Sequence, residues 1–384
     1  MVDVALITSS YLPHVGGVEE HVRNVARHLL RQGLSVVVWT VEHGERSPDV
    51  VDGITVRTLP CPLPARTATS VMSFAWRGPL ALVRWASALL RDRPRVMHVH
   101  CFGPNGVWAL GAAQGRRLVI TSHGETRGDA HDAFGTSALL RTALRKALRR
   151  ADAVTGVSAS VLDDLHARFA LASGRATVIG NGVDLTERAG AMPPALPARY
   201  VLGIGRLVHT KGFDLLLRAF ARAGLPPDVG IVLAGDGPER ASLTALAAAE
   251  GVAGRVVFTG RLDRGEIVAV ASGALALAVP SRVEAFGIVV LEGWRAGIPV
   301  IAGAGEGPAE LIRDGVDGIV VDASDSGAFA AVLTQVVADP DGMRALAAAG
   351  AARCRAYSWE NVAAAYRAVY ATLGVRAEVD SISA

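Results

Sequence analysis

Two glutamates, Glu284 and Glu292, flank the stretch Ala285-Phe286-Gly287-Ile288-Val289-Val290-Leu291, where a polar loop gives way to an apolar helix-forming run. A loop carboxylate can accept hydrogen bonds from the hydroxyls of a polyol. One set further in, on a helix, can hold a vicinal diol, as carboxylates do in nucleotide folds. Gly287 lets backbone approach closely, and the amides of Phe286, Gly287 and Ile288 at the helix start suit an anion. Closer to the N-terminus, Gly205-Arg206-Leu207-Val208-His209-Thr210-Lys211-Gly212 brings two cations to a second helix start. Arg206 and Lys211 can neutralise a diphosphate leaving group without a tightly held metal. A Walker A loop would place Gly before its Lys and Ser or Thr after it, whereas Thr210 and Gly212 stand there. Cations for a diphosphate, carboxylates for hydroxyls and amides for developing charge are the groups a sugar nucleotide requires. The implied chemistry is glycosyl transfer.

Other constellations carry less information. Pro13-His14-Val15-Gly16-Gly17-Val18-Glu19-Glu20 follows a strand and opens a helix, so the Gly16 and Gly17 amides offer an anion site or merely a tight turn. The spacing is not G-x-G-x-x-G, which argues against a nicotinamide dehydrogenase. Thr121-Ser122-His123-Gly124-Glu125 sets His123 at a strand end, where it can donate to a hydroxyl or a reacting centre, or be structural. His98 and His100 alternate along one strand and share a face. Without a matching carboxylate pattern, these three histidines do not make a zinc site, and no metal is expected. Leu139–Arg150 is a basic amphipathic helix that either rests on anionic lipid or is a solvated outer helix.

The elements that must position these groups alternate in the α/β manner, with short apolar runs between amphipathic stretches. Strands are expected at Val4–Thr8, Leu34–Thr40, Val96–Val99, Leu118–Thr121, Ala153–Val157 and Thr177–Ile179, with helices at Val18–Arg31, Ala75–Arg91 and Ser137–Arg150. Met192-Pro193-Pro194-Ala195-Leu196-Pro197 reads as a stiff linker. A second series of strands follows at Tyr200–Ile204, Gly230–Ala234, Val256–Thr259, Leu275–Val279, Val300–Ala302 and Gly318–Val321. Two doubly wound domains are implied, over 1–192 and 198–357, followed by a terminal segment at 358–384. In such sheets ligands sit outside the carboxyl ends of strands, where the loops above fall.

With 384 residues, half of them hydrophobic, the chain can bury a large core. A net charge of +3 is too small to indicate a nucleic-acid partner. Lysine occurs only at Lys146 and Lys211 among 39 cationic residues, so Lys211 persists where arginine is the default. Lysine offers a compact ammonium, arginine a wide planar fork. Cys61, Cys101 and Cys354 are scattered, which fits a reducing cytoplasm. The first residues read as a strand rather than a signal peptide, and no apolar run is long enough to span a bilayer.

The order and spacing of these motifs, through nearly the whole chain, resemble glycosyltransferase family 4, retaining enzymes of the GT-B fold. The resemblance is carried by the Gly16-Gly17 loop, Ser122-His123-Gly124, Ile179-Gly180-Asn181-Gly182-Val183-Asp184, the block from Gly205-Arg206 to Lys211-Gly212, Gly235-Asp236-Gly237-Pro238, the Glu284-to-Glu292 element and Tyr357-Ser358-Trp359-Glu360. It implies two Rossmann-like domains facing a central cleft, acceptor side first and nucleotide-sugar side second, with the terminal helix crossing back to the first. Arg206 and Lys211 would then bind the diphosphate, helped by the Gly17 amide. Glu292 would hold the ribose, Glu284 the sugar hydroxyls, and His123 would sit beside the transferred sugar. The base would lie near Arg261 and Leu262. Donor frequency within the family favours a uridine-diphosphate sugar, and Mg2+ is admissible but not required. The acceptor would be a small molecule, such as a cyclitol, or a glycan, including a lipid-linked one that brings the protein to the inner membrane face.

Retention leaves two routes open: same-face attack with the leaving phosphate taking the acceptor's proton, or double displacement through Glu284. Where relatives often carry Gly-Gly-Pro-Glu, this chain has Gly303-Ala304-Gly305-Glu306-Gly307-Pro308-Ala309-Glu310, so donor choice does not transfer from them. Two other functions share the broad fold and stay in view: a sugar-nucleotide epimerase and a non-catalytic sugar-nucleotide sensor.

Overall fold

The alternation of apolar runs and amphipathic stretches resolves into two parallel-sheet units in a computed structural model. It describes residues 1–376 apart from 15, 43, 45, 46, 65–67, 128–132, 173 and 306. Unit one comprises Met1–Asn181 and the segment from Trp359 onward; unit two comprises Gly182–Ser358. The division therefore falls ahead of the Pro-rich stretch read from sequence as a linker. The reason is local: Gly190 N–H donates to the Gly265 carbonyl at 2.8 Å, and Glu187 is bound by Arg264, so residues 182–191 already belong to unit two.

Unit one contains β1 (Val4–Thr8), β2 (Val36–Val41), β3 (Val50–Val51), β4 (Ile54–Leu59), β5 (Val96–His100), β6 (Arg117–Ser122), β7 (Ala153–Gly156) and β8 (Ala176–Val178). Their order is β3-β4-β2-β1-β5-β6-β7-β8, with only the β3–β4 pair antiparallel. The short β3 and β4 were not anticipated, because Ile54-Thr55-Val56-Arg57 alternates too briefly to separate a strand from a loop. The two-residue period splits each strand between two cores. Ala5 and Ile7 enter one cluster with Val37, Trp39 and Val99, while Val4 and Leu6 enter the other with Val36 and Val38. The helix Gly17–Arg31 buries Val22, Val25, Ala26 and Leu29 on one stripe against the second cluster. The terminal helix Trp359–Thr372 completes that cluster with Trp359, Tyr366 and Tyr370, all essentially inaccessible.

At the carboxyl end of this sheet the register aligns Thr58, Thr40, Thr8, His100, Thr121, Thr155 and Thr177 in a single row. In-register partners share a face, so a polar band crosses an otherwise apolar layer. Apart from the partly exposed Thr58 and the exposed Thr177, its members are buried.

Unit two contains β9 (Arg199–Ile204), β10 (Val229–Ala234), β11 (Val256–Gly260), β12 (Ala276–Val279), β13 (Val300–Gly303) and β14 (Ile319–Val321), ordered β11-β10-β9-β12-β13-β14 and all parallel. Its inner strands are mostly Val, Ile, Leu and Ala, as sheets covered on both faces require. The helix Ile288–Ala296 is bounded by Gly287 and Gly297, both in the left-handed region. The expected basic helix spans Ala138–Arg150 and is capped by Ser137. It turns Leu140, Ala143, Leu144, Ala147 and Leu148 into the first core and leaves Arg145, Lys146, Arg149 and Arg150 exposed, the arrangement of the solvated outer helix that was one of the two readings.

Candidate active site

Unit two builds its site from three strand ends. After β9, Gly205 adopts φ 147° and the chain descends through a single tight turn, His209–Lys211, to Gly212 at φ 67°. A Cβ on Gly212 would collide with the Pro280 carbonyl oxygen, so this loop and the one after β12 touch backbone to backbone. The contact is reinforced by Arg282 N–H donating to the Thr210 carbonyl at 2.8 Å. The Arg282 guanidinium also grips Asp214 through two bonds of 2.7 Å, and this pair holds the Asp214 carboxyl below the ordinary carboxylate range. Lys211 and Glu284 are thereby brought together as a direct ion pair, both partly buried. Arg206 is exposed, and its side chain has no partner among the described residues.

Glu284 lies in the loop, and Phe286 is buried beneath it. Gly287, at φ 94°, packs on Pro308, and Ile288 begins the helix. The divergent loop 303–310 presses against the same segment, since a Cβ on Gly307 would strike the Glu284 carbonyl oxygen. Glu306 lies outside the described residues, as does Val15 of the first glycine turn.

Glu292 lies within the helix and is only 4 % exposed. It accepts from Arg264 Nη1 at 2.9 Å. Arg264 also holds Glu187 through bonds of 2.7 and 2.8 Å, and Arg295 pairs with the same Glu187. Burial raises the Glu292 carboxyl above its ordinary range, Glu187 reinforces this, and Arg264 and Arg295 oppose it. The sequence reading missed this network because Glu187 and Arg264 sit far from Glu292 in the chain. Arg261 is exposed and Leu262 half-buried, between β11 and a helix opened by the Asp263–Glu266 capping box.

Unit one contributes a separate set. Gly16 caps the helix Gly17–Arg31 with extended backbone and is exposed. The Glu19 carboxylate folds back onto this start, pairing with Ser10 and lying where a Gly16 Cβ would be. An incoming phosphate at the Gly16 and Gly17 amides would have to displace it.

His123 is half-buried after β6, its Nε2 within 3.1 Å of His100 Nδ1. Glu125 fixes this loop, accepting from the His123 and Phe102 amides at 2.7 and 2.8 Å and from Ser122 Oγ. Burial raises its carboxyl even so. The sequence reading quoted Glu125 without a role; its short separation from His123 was the available signal.

His21, His98 and His100 are fully buried, and His21, His100 and His123 bring ring nitrogens within 4.8 Å of one another. Burial holds His21 down to about 4 and His98, His100 and His123 well below the usual imidazole range, so the cluster is neutral. Neutral imidazoles can ligate a metal, but His21 spends its nitrogens on Asn181 and Tyr366, and His98 on Tyr370 and Thr121. His100 Nδ1 and His123 Nε2 are spent on each other. Hydrogen bonding thus accounts for most of the ring nitrogens.

The family described as "Glycosyltransferase Family 4" matches residues 15–187, and "Glycosyl transferases group 1" matches residues 193–353. A D-inositol 3-phosphate glycosyltransferase of Xylanimonas cellulosilytica is 30 % identical, over 93 % of this chain and 91 % of its own. The chain belongs to glycosyltransferase family 4. It is a hexosyltransferase of the GT-B fold. A GDP-mannose-dependent alpha-(1-6)-phosphatidylinositol monomannoside mannosyltransferase of Mycolicibacterium smegmatis is 35 % identical over 62 % of this chain and 65 % of its own. Sucrose-phosphate synthase from Thermosynechococcus elongatus superposes with a TM-score of 0.79 at 24 % identity, covering 97 % of this chain and 99 % of that one.

Proposed function

We propose that this family 4 glycosyltransferase moves a hexose from a nucleoside-diphosphate sugar, uridine diphosphate preferred, to a hydroxyl of a cyclitol, other small polyol or glycan, with retained configuration. The observation carrying the reading is the Lys211–Glu284 pair, held by the Arg282–Asp214 clamp where two strand-end loops meet. A cation and a carboxylate locked side by side suit a ligand that carries a diphosphate next to a hydroxylated ring. Lys211 and Arg206 take the diphosphate, Glu284 the sugar hydroxyls and Glu292 the ribose diol, with the base near Arg261 and Leu262. The amides of Phe286, Gly287 and Ile288 meet a phosphate, as do those of Gly16 and Gly17 once Glu19 has moved. His123 is the first unit's contribution beside the transferred sugar.

In the reaction the bond from the anomeric carbon to phosphate oxygen breaks and the acceptor oxygen bonds to that carbon. The acceptor's proton passes to the departing diphosphate. No tightly held metal is needed when two side-chain cations carry this charge, so chelation with EDTA is expected to leave turnover intact.

The name of the Mycolicibacterium relative makes a guanine donor the competing choice, and the two relatives' names both point to inositol-type acceptors. The deciding experiment measures thermal stabilisation and hydrolysis with a panel of uridine- and guanosine-diphosphate hexoses, then product formation with inositol and its phosphate. Stabilisation and transfer by one donor support the proposal. A changed sugar released without acceptor would mark an epimerase, and binding without turnover a sensor.

A further inference from the structure

His100 closes β5 opposite Thr121 of β6, and His123 lies two residues beyond Thr121, back on the same face of the sheet. The two imidazoles are therefore diagonal neighbours, with His100 Nδ1 and His123 Nε2 3.1 Å apart. Both residues are held from other sides as well. Asn105 Nδ2 donates to the His100 carbonyl at 3.3 Å, and the His98 and Tyr366 rings lie 4.0 and 5.9 Å from the His100 ring, centroid to centroid. The His123 amide is fixed by Glu125 at 2.7 Å. Its half-buried ring keeps one nitrogen, Nδ1, without a partner among the described residues.

Burial leaves both rings neutral, so each carries one ring proton. The bond between them admits two arrangements. If His123 Nε2–H donated, His100 Nδ1 would accept, and the proton of His100 would stand on its Nε2. That atom is inaccessible and has no hydrogen-bond partner, so this arrangement buries an orphaned N–H donor, at a cost folded proteins seldom bear. If His100 Nδ1–H donates, its Nε2 keeps only a lone pair, which is less costly to leave unpaired, and His123 must carry its proton on Nδ1. We propose that His100 is a positioning residue that locks His123 in the Nδ1–H tautomer, so that His123 presents a hydrogen-bond donor to an oxygen of the transferred sugar and does not act as a base. This role rests on His123 standing beside the sugar, as in the proposed reaction. It agrees with the acceptor's proton leaving on the diphosphate. With Nδ1 protonated and Nε2 occupied by His100, neither nitrogen of His123 is free to take that proton.

The tautomer is read on the full chain without any sugar nucleotide, so it stands or falls apart from the transferase reading. Long-range nitrogen–proton correlation NMR spectra of histidine-labelled protein, with His123 assigned by its loss in His123→Gln, should show at neutral pH a proton on His123 Nδ1 and none on Nε2. His100→Leu removes the donor, and His123 should then populate both tautomers. In that variant kcat should fall about a hundred-fold, the scale for one preorganised donor, while KM for the sugar nucleotide stays nearly unchanged. His100→Asn, whose side-chain amide can donate from near the place of Nδ1, should restore the tautomer and most of the rate. A proton on His123 Nε2 in the parent, alone or together with one on Nδ1, overturns the proposal. So does His100→Leu with parental kcat, or with kcat lost while His123 keeps Nδ1–H, because His100 would then act through the fold alone. A protonated Nδ1 in a protein that turns over no sugar nucleotide would uphold the tautomer and count against the transferase reading.

Discussion

At the residue scale, Lys211 and Glu284 neutralise each other before any ligand arrives, so removing one exposes the other. Lys211→Ala should lower kcat by a few kcal/mol of transition-state stabilisation, the scale of about 3 kcal/mol for one preorganised partner. Steady-state kinetics with the best donor would show it, and unchanged turnover would remove Lys211 from the site. Glu292 presents the opposite case. Because burial raises its folded-state pKa, its favourable contribution to stability exists at low pH and is lost as pH rises through that value, leaving the ionised form unfavourable at neutrality. Glu292→Gln should therefore raise the melting temperature of the ligand-free protein while weakening nucleotide affinity. Arg264 keeps Glu187 as its partner in that variant. His123→Ala should slow transfer yet leave nucleotide affinity nearly intact, since its contacts are to His100 and the loop fixed by Glu125.

At the element scale, the unit-two site depends on glycines that let two loops meet. Gly212 combines a left-handed φ with a backbone neighbour where a methyl would stand. Gly212→Ala is thus expected to destabilise by about 1–3 kcal/mol or more and to loosen the Lys211–Glu284 pair. Chemical denaturation would measure the first effect and donor affinity the second. A full loss of affinity with stability unchanged would mean that strain does not reach the fold. The clamp between Arg282 and Asp214 serves the same junction and spans two loops that are distant in the chain.

At the scale of the whole molecule, the terminal helix belongs to the unit formed by the first half of the chain. Trp359 is only 1 % exposed, and Tyr366 and Tyr370 0 %, in the core behind β1 and β5. Trp359→Ala should cost about 3–5 kcal/mol of stability, the range for emptying a large aromatic site. In a thermal melt the loss should appear in unit one's transition. The buried histidines make this unit sensitive to acid. Their folded pKa values are depressed, so their contribution is complete above the ordinary imidazole value of 6.5 and is lost as pH falls towards about 4 for His21. That residue alone contributes on the order of 3 kcal/mol across the window. Urea midpoints should fall between pH 7 and pH 5, and a flat profile would show the cluster to be charged or open to water.

The strands of unit two and the family were legible from sequence, because buried parallel strands read as apolar runs, and the loops proposed to take the donor could be located because each loop's charges lie within a few residues of one another. The carboxylates Glu284 and Glu292 could be named for the same reason, and so could the cations Arg206 and Lys211. Tertiary structure decided what depends on register and on distant partners. The threonine row around His100, the hold of Glu187 and Arg264 on Glu292, and the Arg282–Asp214 clamp all join residues whose separation in sequence carries no local signal. Folding also separated the amphipathic helices by what covers them. Ala138–Arg150 found a core for its leucines, while Ala68–Asp92 was left with an apolar face outward. A sequence pattern shows that a helix has an apolar face, but only packing decides whether protein covers it.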